Sequence, residues 1–600
     1  MGLGAPVRVP WRGPRAGTGG GRDGTERGEG RTPVHSLLWP EGPPTGPVPV
    51  VVPPQALVDL ELAQVAEWLC AARAERRAFA LDLLSRLPLD ARVSRHRGAV
   101  VAELVAHPRL CDRLGEVRRA LRLLAAHRPE AFPREAPRAS RIGARVVELQ
   151  AYVEVVRLLQ EALAAEDVCS DGLLALRADA AALAADESYA ALTSELPHWR
   201  RALDEVRTVT VAVEVSPALE PEGAALIDFS REAAAPRTFA LSRLLGEETG
   251  RRGRVRLFRR HPVDWQGGEK MVGDVRALLE AVAAPVERAL HGYRLVNAQA
   301  VAPLEDELLV LLGAAALARR WSSAGLPVCL PEVLTPPTGE AAPTGGDREW
   351  FAEEAYHPVL ALQLPQPGTV VRNRLSFGAD GAVWVLTGPN RGGKTTYLRA
   401  AGVIQVLAQA GLPVPAARAR VQTVDRVATH FPLPEAGKPG MGRLDEEAGR
   451  VAEVFATCTG RSLVLLNEVL AGTSAPEALA LAVDVLRGFR ALGLRCVYAT
   501  HLHELAARCE EINASIAGPG LVASLTVEAV PDEAGPGGRL TRRPTYRVVP
   551  GQPAGASYFA SRIARQHGIS LPQILAGLRA RGVLPPGVDG PGAVGAGDPG

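Results

Sequence analysis

Lysine is almost missing from this 600-residue chain. Of 68 basic residues only three are lysines, Lys270, Lys394 and Lys438, so arginine holds nearly every basic position. Aromatic residues make up only 4%. The richness in Ala, Arg, Gly and Pro has the look of compositional bias, which weakens any argument from arginine number alone. The formal net charge is +2, so no global basic field points to nucleic acid, and a surface of that kind must be local. No apolar run approaches about 18 residues, which argues against a membrane span. The start, MGLGAPVRVPWRG, has no apolar segment of the kind a signal peptide needs. The seven cysteines (Cys70, Cys111, Cys169, Cys329, Cys458, Cys496, Cys509) are scattered, odd in number and without a CxxC pair. That fits reduced thiols in a cytoplasmic protein better than a disulfide framework or a zinc site.

What is present divides the chain. Six hundred residues suggest about three or four domains. Residues 1–50 are rich in Gly, Pro and Arg without periodicity, the composition of a disordered segment. Residues 51–204 read as a helical region. Within it Val146, Val147, Leu149, Val153, Val156 and Leu163 trace an apolar stripe of the core-facing type, and breaks fall at Leu87–Asp90 and Pro129–Pro137. Residues 205–334 begin with strand-like runs at Thr208–Val215 and Ala224–Phe229, pass through the basic segment Gly250–His261, and continue as a long helical stretch over Gly273–Gly325. The Pro/Gly/Thr-rich stretch 335–349 is a linker. In 350–580, apolar runs at Ala382–Thr387, Ser462–Asn467 and Leu494–Thr500 alternate with helical patterns at 394–410, 445–458 and 476–492, which implies parallel strands with crossovers. Residues 581–600 are a second Gly/Pro-rich tail.

One of the three lysines sits in Gly388-Pro389-Asn390-Arg391-Gly392-Gly393-Lys394-Thr395, a complete GxxxxGK[ST] loop. Strand and helix flank it in the required order. In such a loop the backbone N–H groups of 390–394 wrap the phosphates of a nucleotide, and the positive end of the following helix strengthens the field. Lysine places a compact charge on the β- and γ-phosphates where arginine's planar fork fits poorly. Thr395 offers its hydroxyl to Mg²⁺, and Thr396 extends the loop. The plain alternative, a glycine-rich turn in a glycine-rich chain, does not explain the flanking pattern.

About 70 residues on, Ser462–Glu468 is an apolar strand ending in Asn467-Glu468. In ATPases with this loop the first polar residue steadies the Mg²⁺ shell and the glutamate polarises the attacking water. That first residue is usually Asp; the neutral Asn467 weakens metal organisation and leaves Glu468 as the candidate base. Gly472-Thr473-Ser474 opens a helix, where an anion site and a simple cap are equally good readings. His501 ends the strand Leu494–Thr500, and at the carboxyl end of such a strand it faces the nucleotide crevice. A lone histidine is otherwise more often structural.

Together these segments resemble the MutS family of DNA mismatch-repair ATPases. TGPNRGGKTTYLR (387–399) is similar to the family's TGPNMGGKST-Y-hR, LVLLNEVLAGTS (463–474) to its LVLhDE-h-GRGTS, and ATHLHEL (499–505) to its ATHYFEL. Tyr546–Gly551 followed by Ser557-Tyr558 resembles the closing Y-K-hh-x-G…S-Y-G element, and His357-Pro358 the RHP that precedes the first ATPase strand. The resemblance implies a multidomain fold, an α-helical core and lever region followed by an α/β P-loop domain of ABC type. It implies ATP and Mg²⁺ as cofactors. Gly388–Thr396, Asn467, Glu468 and His501 would act in cis, and Gly472–Ser474 across a homodimer. DNA is the implied partner, bound by shape rather than sequence in repair or recombination control.

This chain departs from the pattern at several points. Asn467 replaces the Asp, Leu470 and Ala471 replace the first Gly-Arg of GRGTS, and Gly442–Glu447 lacks the family's hydroxyls. Neither a mismatch-reading module nor an Smr-type nuclease domain is recognisable. Hydrolysis is therefore expected to be slow. The arginines of 251–260 are the best local basic patch, although a solvated arginine face is the simpler reading. The alternative function is a nucleotide-gated scaffold that does not act on DNA.

Overall fold

The computed structural model describes residues 34–70, 74–127, 138–203, 208–215, 221–230, 261–262, 265–293, 296, 298–336, 349–432, 443–470, 472–531, 542–552 and 571–581. The basic segment 251–260, Ser557 and Tyr558 lie outside these residues. The described residues are helical in the N-terminal half and mixed α/β in the C-terminal half. Contacts divide the chain into two compact units, 1–45 with 103–312, and 46–102 with 313–600.

In the first unit the helices Pro108–Ala126 and Arg138–Ala164 pack together. Leu110, Leu114, Val117, Leu121 and Leu124 recur at helical spacing on one side, and Val146, Leu149, Val156 and Leu163 on the other; all are buried. The strand-like runs form an antiparallel pair, β1 (Thr208–Val215) and β2 (Pro221–Ser230), with the short β3 (His261–Pro262) beside β2. The long helical stretch is two helices, Trp265–Leu290 and Leu304–Ser323, the second running on into the other unit. Gly292 is a weak helix former and Pro303 lacks an N–H, so the chain between them takes 3₁₀ turns instead.

The second unit holds two sheets. A four-stranded sheet in the order β4-β8-β5-β6 is built from β4 (Glu332–Leu334), β5 (Trp350–Ala355), β6 (Asn373–Phe377) and β8 (Arg418–Gln422). The larger sheet contains β7 (Val383–Thr387), β9 (Val427–His430), β10 (Leu463–Asn467), β11 (Arg495–Thr500), β12 (Val522–Pro531) and β13 (Arg542–Pro550), ordered β13-β12-β7-β11-β10-β9. Strands β9, β10, β11, β7 and β12 run parallel, and β13 closes the edge antiparallel. Every residue of β7, β10 and β11 is buried. Unbroken apolar runs suit strands covered on both faces.

The helix Lys394–Ala410 follows β7 and is buried along nearly its whole length. A glutamine network fixes its back. Gln405 Oε1 accepts from Trp350 Nε1 at 2.7 Å, and its amide nitrogen donates to Gln409 Oε1 and Gln422 O. Gln409 donates to Pro88 O and Val424 O and accepts from Val424 N. The segment 54–61 also grips this element. Arg399 donates to Asp59 O and pairs with Glu61 at 2.7 Å, while Thr429 donates to the Asp59 carboxylate.

Candidate functional site

Parallel strands put their carboxyl ends on one edge, and the edge of β7, β11 and β10 gathers the candidate residues. Thr500 stands opposite Thr387, and Ala499 opposite Asn467. The loop 388–393 leaves β7 and turns directly into the helix that begins at Lys394. Gly388 has φ 155°, and a Cβ there would lie 2.8 Å from the Val527 side chain; Gly393, the N-cap, has φ 91°. Neither position tolerates an ordinary side chain without strain. Arg391 also takes a left-handed conformation, φ 60°. Alternating backbone hands of this kind turn successive N–H groups into a concavity suited to anions. Pro389 and Gly392 are buried, and Asn390 and Arg391 are exposed at the tip.

Lys394 lies beneath the loop, only 4% exposed. Its ammonium donates to Gly388 O at 3.0 Å and Pro389 O at 3.2 Å, lies 3.4 Å from His501 Nδ1, and approaches Glu468 Oε1 at 3.9 Å. His501 Nε2 is 2.7 Å from the same Glu468 oxygen. The three groups form one hydrogen-bonded chain. With the ammonium donating to Nδ1, the matching tautomer has Nε2–H donating to the carboxylate. Burial lowers the Lys394 pKa to about 8, a shift that Glu468 partly offsets. Glu468 reaches this place through a left-handed turn, φ 56°, immediately after β10, with its N–H held by Ala499 O.

Thr395 Oγ1 donates to Asn467 Oδ1 at 3.4 Å. These two neutral oxygens face each other at the mouth of the loop, and Thr396 is half-buried one position on. Gly472–Ser474 is placed differently. Thr473 and Ser474 both donate to the Glu477 carboxylate at the start of their own helix, Ser474 at 2.8 Å. None of these hydrogen bonds reaches the loop. Leu470 takes φ 63°.

Tyr546, the first residue of the Tyr546–Gly551 run, stands beside the loop. A Cβ on Gly393 would touch its ring at 3.4 Å, so this half-exposed aromatic forms a wall beside the loop. It stands in a bulge of β13 with φ 64°. Asn373 secures that bulge, donating to Tyr546 O at 3.1 Å and accepting from Val548 N at 2.7 Å. The one sequence signal was the Tyr546–Gly551 run itself.

Helical N-terminal half, α/β C-terminal half, and a glycine loop between a buried strand and a buried helix define the class of architecture. Comparison with known proteins shows what the C-terminal part is similar to. Residues 384–529 match MutS domain V. The DNA mismatch repair protein MutS of a Synechococcus species is 40% identical over 162 residues, 26% of this chain and 18% of that protein. The protein of the same name from Chlorobium limicola is 38% identical over 151 residues, 25% of this chain and 17% of that protein. That from Synechococcus elongatus is 33% identical over 218 residues, covering 36% of this chain and 23% of its own. Through this stretch the chain is similar to domain V of the MutS family. The match spans about a fifth of the length of these relatives. No helix among the described residues is long and apolar enough to cross a membrane.

Proposed function

We propose that the chain binds and hydrolyses ATP at the 388–396 loop, and that this drives a homodimeric clamp on DNA. The observation that carries the reading is the chain Lys394–His501–Glu468 at the mouth of the loop, with distances of 3.4 and 2.7 Å. The loop amides bind the phosphates, and Lys394 exchanges its contacts with Gly388 O and Pro389 O for phosphate oxygens. Glu468 orients a water and accepts its proton, while His501 holds that carboxylate in place. The fit to Mg²⁺ is incomplete: Thr395 and Asn467 would hold it, but both are neutral, whereas Mg²⁺ is ordinarily bound through one or two carboxylates and substrate phosphates.

The DNA part of the proposal rests on the relatives, each named a DNA mismatch repair protein. Contacts to phosphates make binding strongly salt-dependent. The homodimer, the action of Gly472–Ser474 across it, the cytoplasmic setting and a role in repair or recombination control belong to the same proposal. The test is filter retention of branched and duplex DNA over a salt series, with and without ATP. Retention that falls steeply with salt supports the clamp. No retention at low salt, alongside intact ATP binding, favours the scaffold reading.

A further inference from the structure

We propose that Arg391 is a second phosphate-binding cation of the loop, supplying charge that a magnesium ion held by a carboxylate would otherwise provide. This rests on the ATP reading above. Asn467 stands at the strand end where the resembling pattern LVLhDE has Asp, so one negative charge is missing beside Thr395. The nearest carboxylate, Glu468, is already engaged by His501 at 2.7 Å and Lys394 at 3.9 Å. Among the described residues no cluster of His, Cys, Asp or Glu is arranged to hold a metal ion.

The loop carries the complementary change. Its fourth residue is Arg391, where the resembling run TGPNMGGKST has Met. The residue lies at the exposed tip with φ 60°. Among the described residues its side chain has no hydrogen bond or ion pair, whereas Arg372, Arg399 and Arg420 are each paired with a carboxylate. A guanidinium left unpaired on a phosphate loop presents a planar fork that fits phosphate oxygens bidentately. Losing one negative charge and gaining one positive charge both favour a polyanion bound without a divalent cation.

The test is ATP affinity by isothermal titration, in EDTA and in excess Mg²⁺, for the wild type, Arg391→Met, Asn467→Asp and Lys394→Ala. Because Arg391 is exposed and unpaired, Arg391→Met leaves the fold intact, which its unliganded melting temperature checks. In EDTA, Arg391→Met should weaken binding by about tenfold, and in Mg²⁺ by only about two- to threefold. Asn467→Asp should make binding more dependent on Mg²⁺. Unchanged affinity of Arg391→Met in EDTA, or a loss no larger in EDTA than in Mg²⁺, overturns the assignment and leaves the ATP reading standing. Failure of the wild type to bind in either buffer, matching Lys394→Ala, removes the ATP reading itself.

Discussion

The Lys394 ammonium is held under the loop at a cost to folding. Its folded pKa, about 8, lies below the ordinary lysine value of 10.5, because burial disfavours the charged form. The unfolded chain therefore binds more protons between these values, and stability rises with pH across that window. The penalty is fully present below pH 8 and relieved by about pH 10.5; its size is on the order of 3 kcal/mol. Lys394→Met should remove this dependence, seen as a flatter plot of urea midpoint against pH from 7.5 to 10.5. Parallel curves for both proteins would contradict the buried ammonium. Glu468→Gln keeps the side-chain shape but cannot accept a proton. It should leave ATP affinity within a few-fold and lower turnover by about 100-fold or more.

The helix that follows the loop is the element on which the site depends. Gln409 satisfies three backbone groups, so Gln409→Leu would strand Pro88 O, Val424 O and Val424 N–H inside the protein. A loss on the order of 3 kcal/mol in chemical denaturation is expected. A methyl group on Gly402 would meet Leu60 Cδ2 at 2.4 Å and Leu465 Cδ1 at 3.0 Å. Gly402→Ala should destabilise by about 1–3 kcal/mol, with ATP binding recovered on cooling. Loop, strand ends and helix were legible in the sequence because a few adjacent residues dictate each. Val383–Thr387, Leu463–Asn467 and Arg495–Thr500 lie within a residue of the apolar runs that announced them. The place of Tyr546 against Gly393 was not legible: it depends on a bulge and on Asn373, far away in sequence. The four-stranded sheet is not legible in the sequence for a related reason, since β4, β5, β6 and β8 are short and come from four separated stretches.

At the scale of the molecule, an apolar helical stripe shows that a face is buried but not what buries it. Residues 46–102 carry such stripes, and the contacts assign them to the compact unit of 313–600. Asp59 and Glu61 are the reason at one end, through Arg399 and Thr429; Ser94, which donates to Gln409 O at 2.7 Å, is the reason at the other. A fragment beginning at residue 313 would expose Leu465 and Gly402 where Leu60 now packs. It should therefore express insolubly, whereas co-expression with 46–102 should restore soluble protein. The measurement that bears most directly on function is steady-state ATP turnover of the purified chain beside Lys394→Ala, with and without branched DNA. Slow turnover that DNA stimulates and that Lys394→Ala abolishes is the expected result. Turnover that persists unchanged in Lys394→Ala would contradict hydrolysis at this loop.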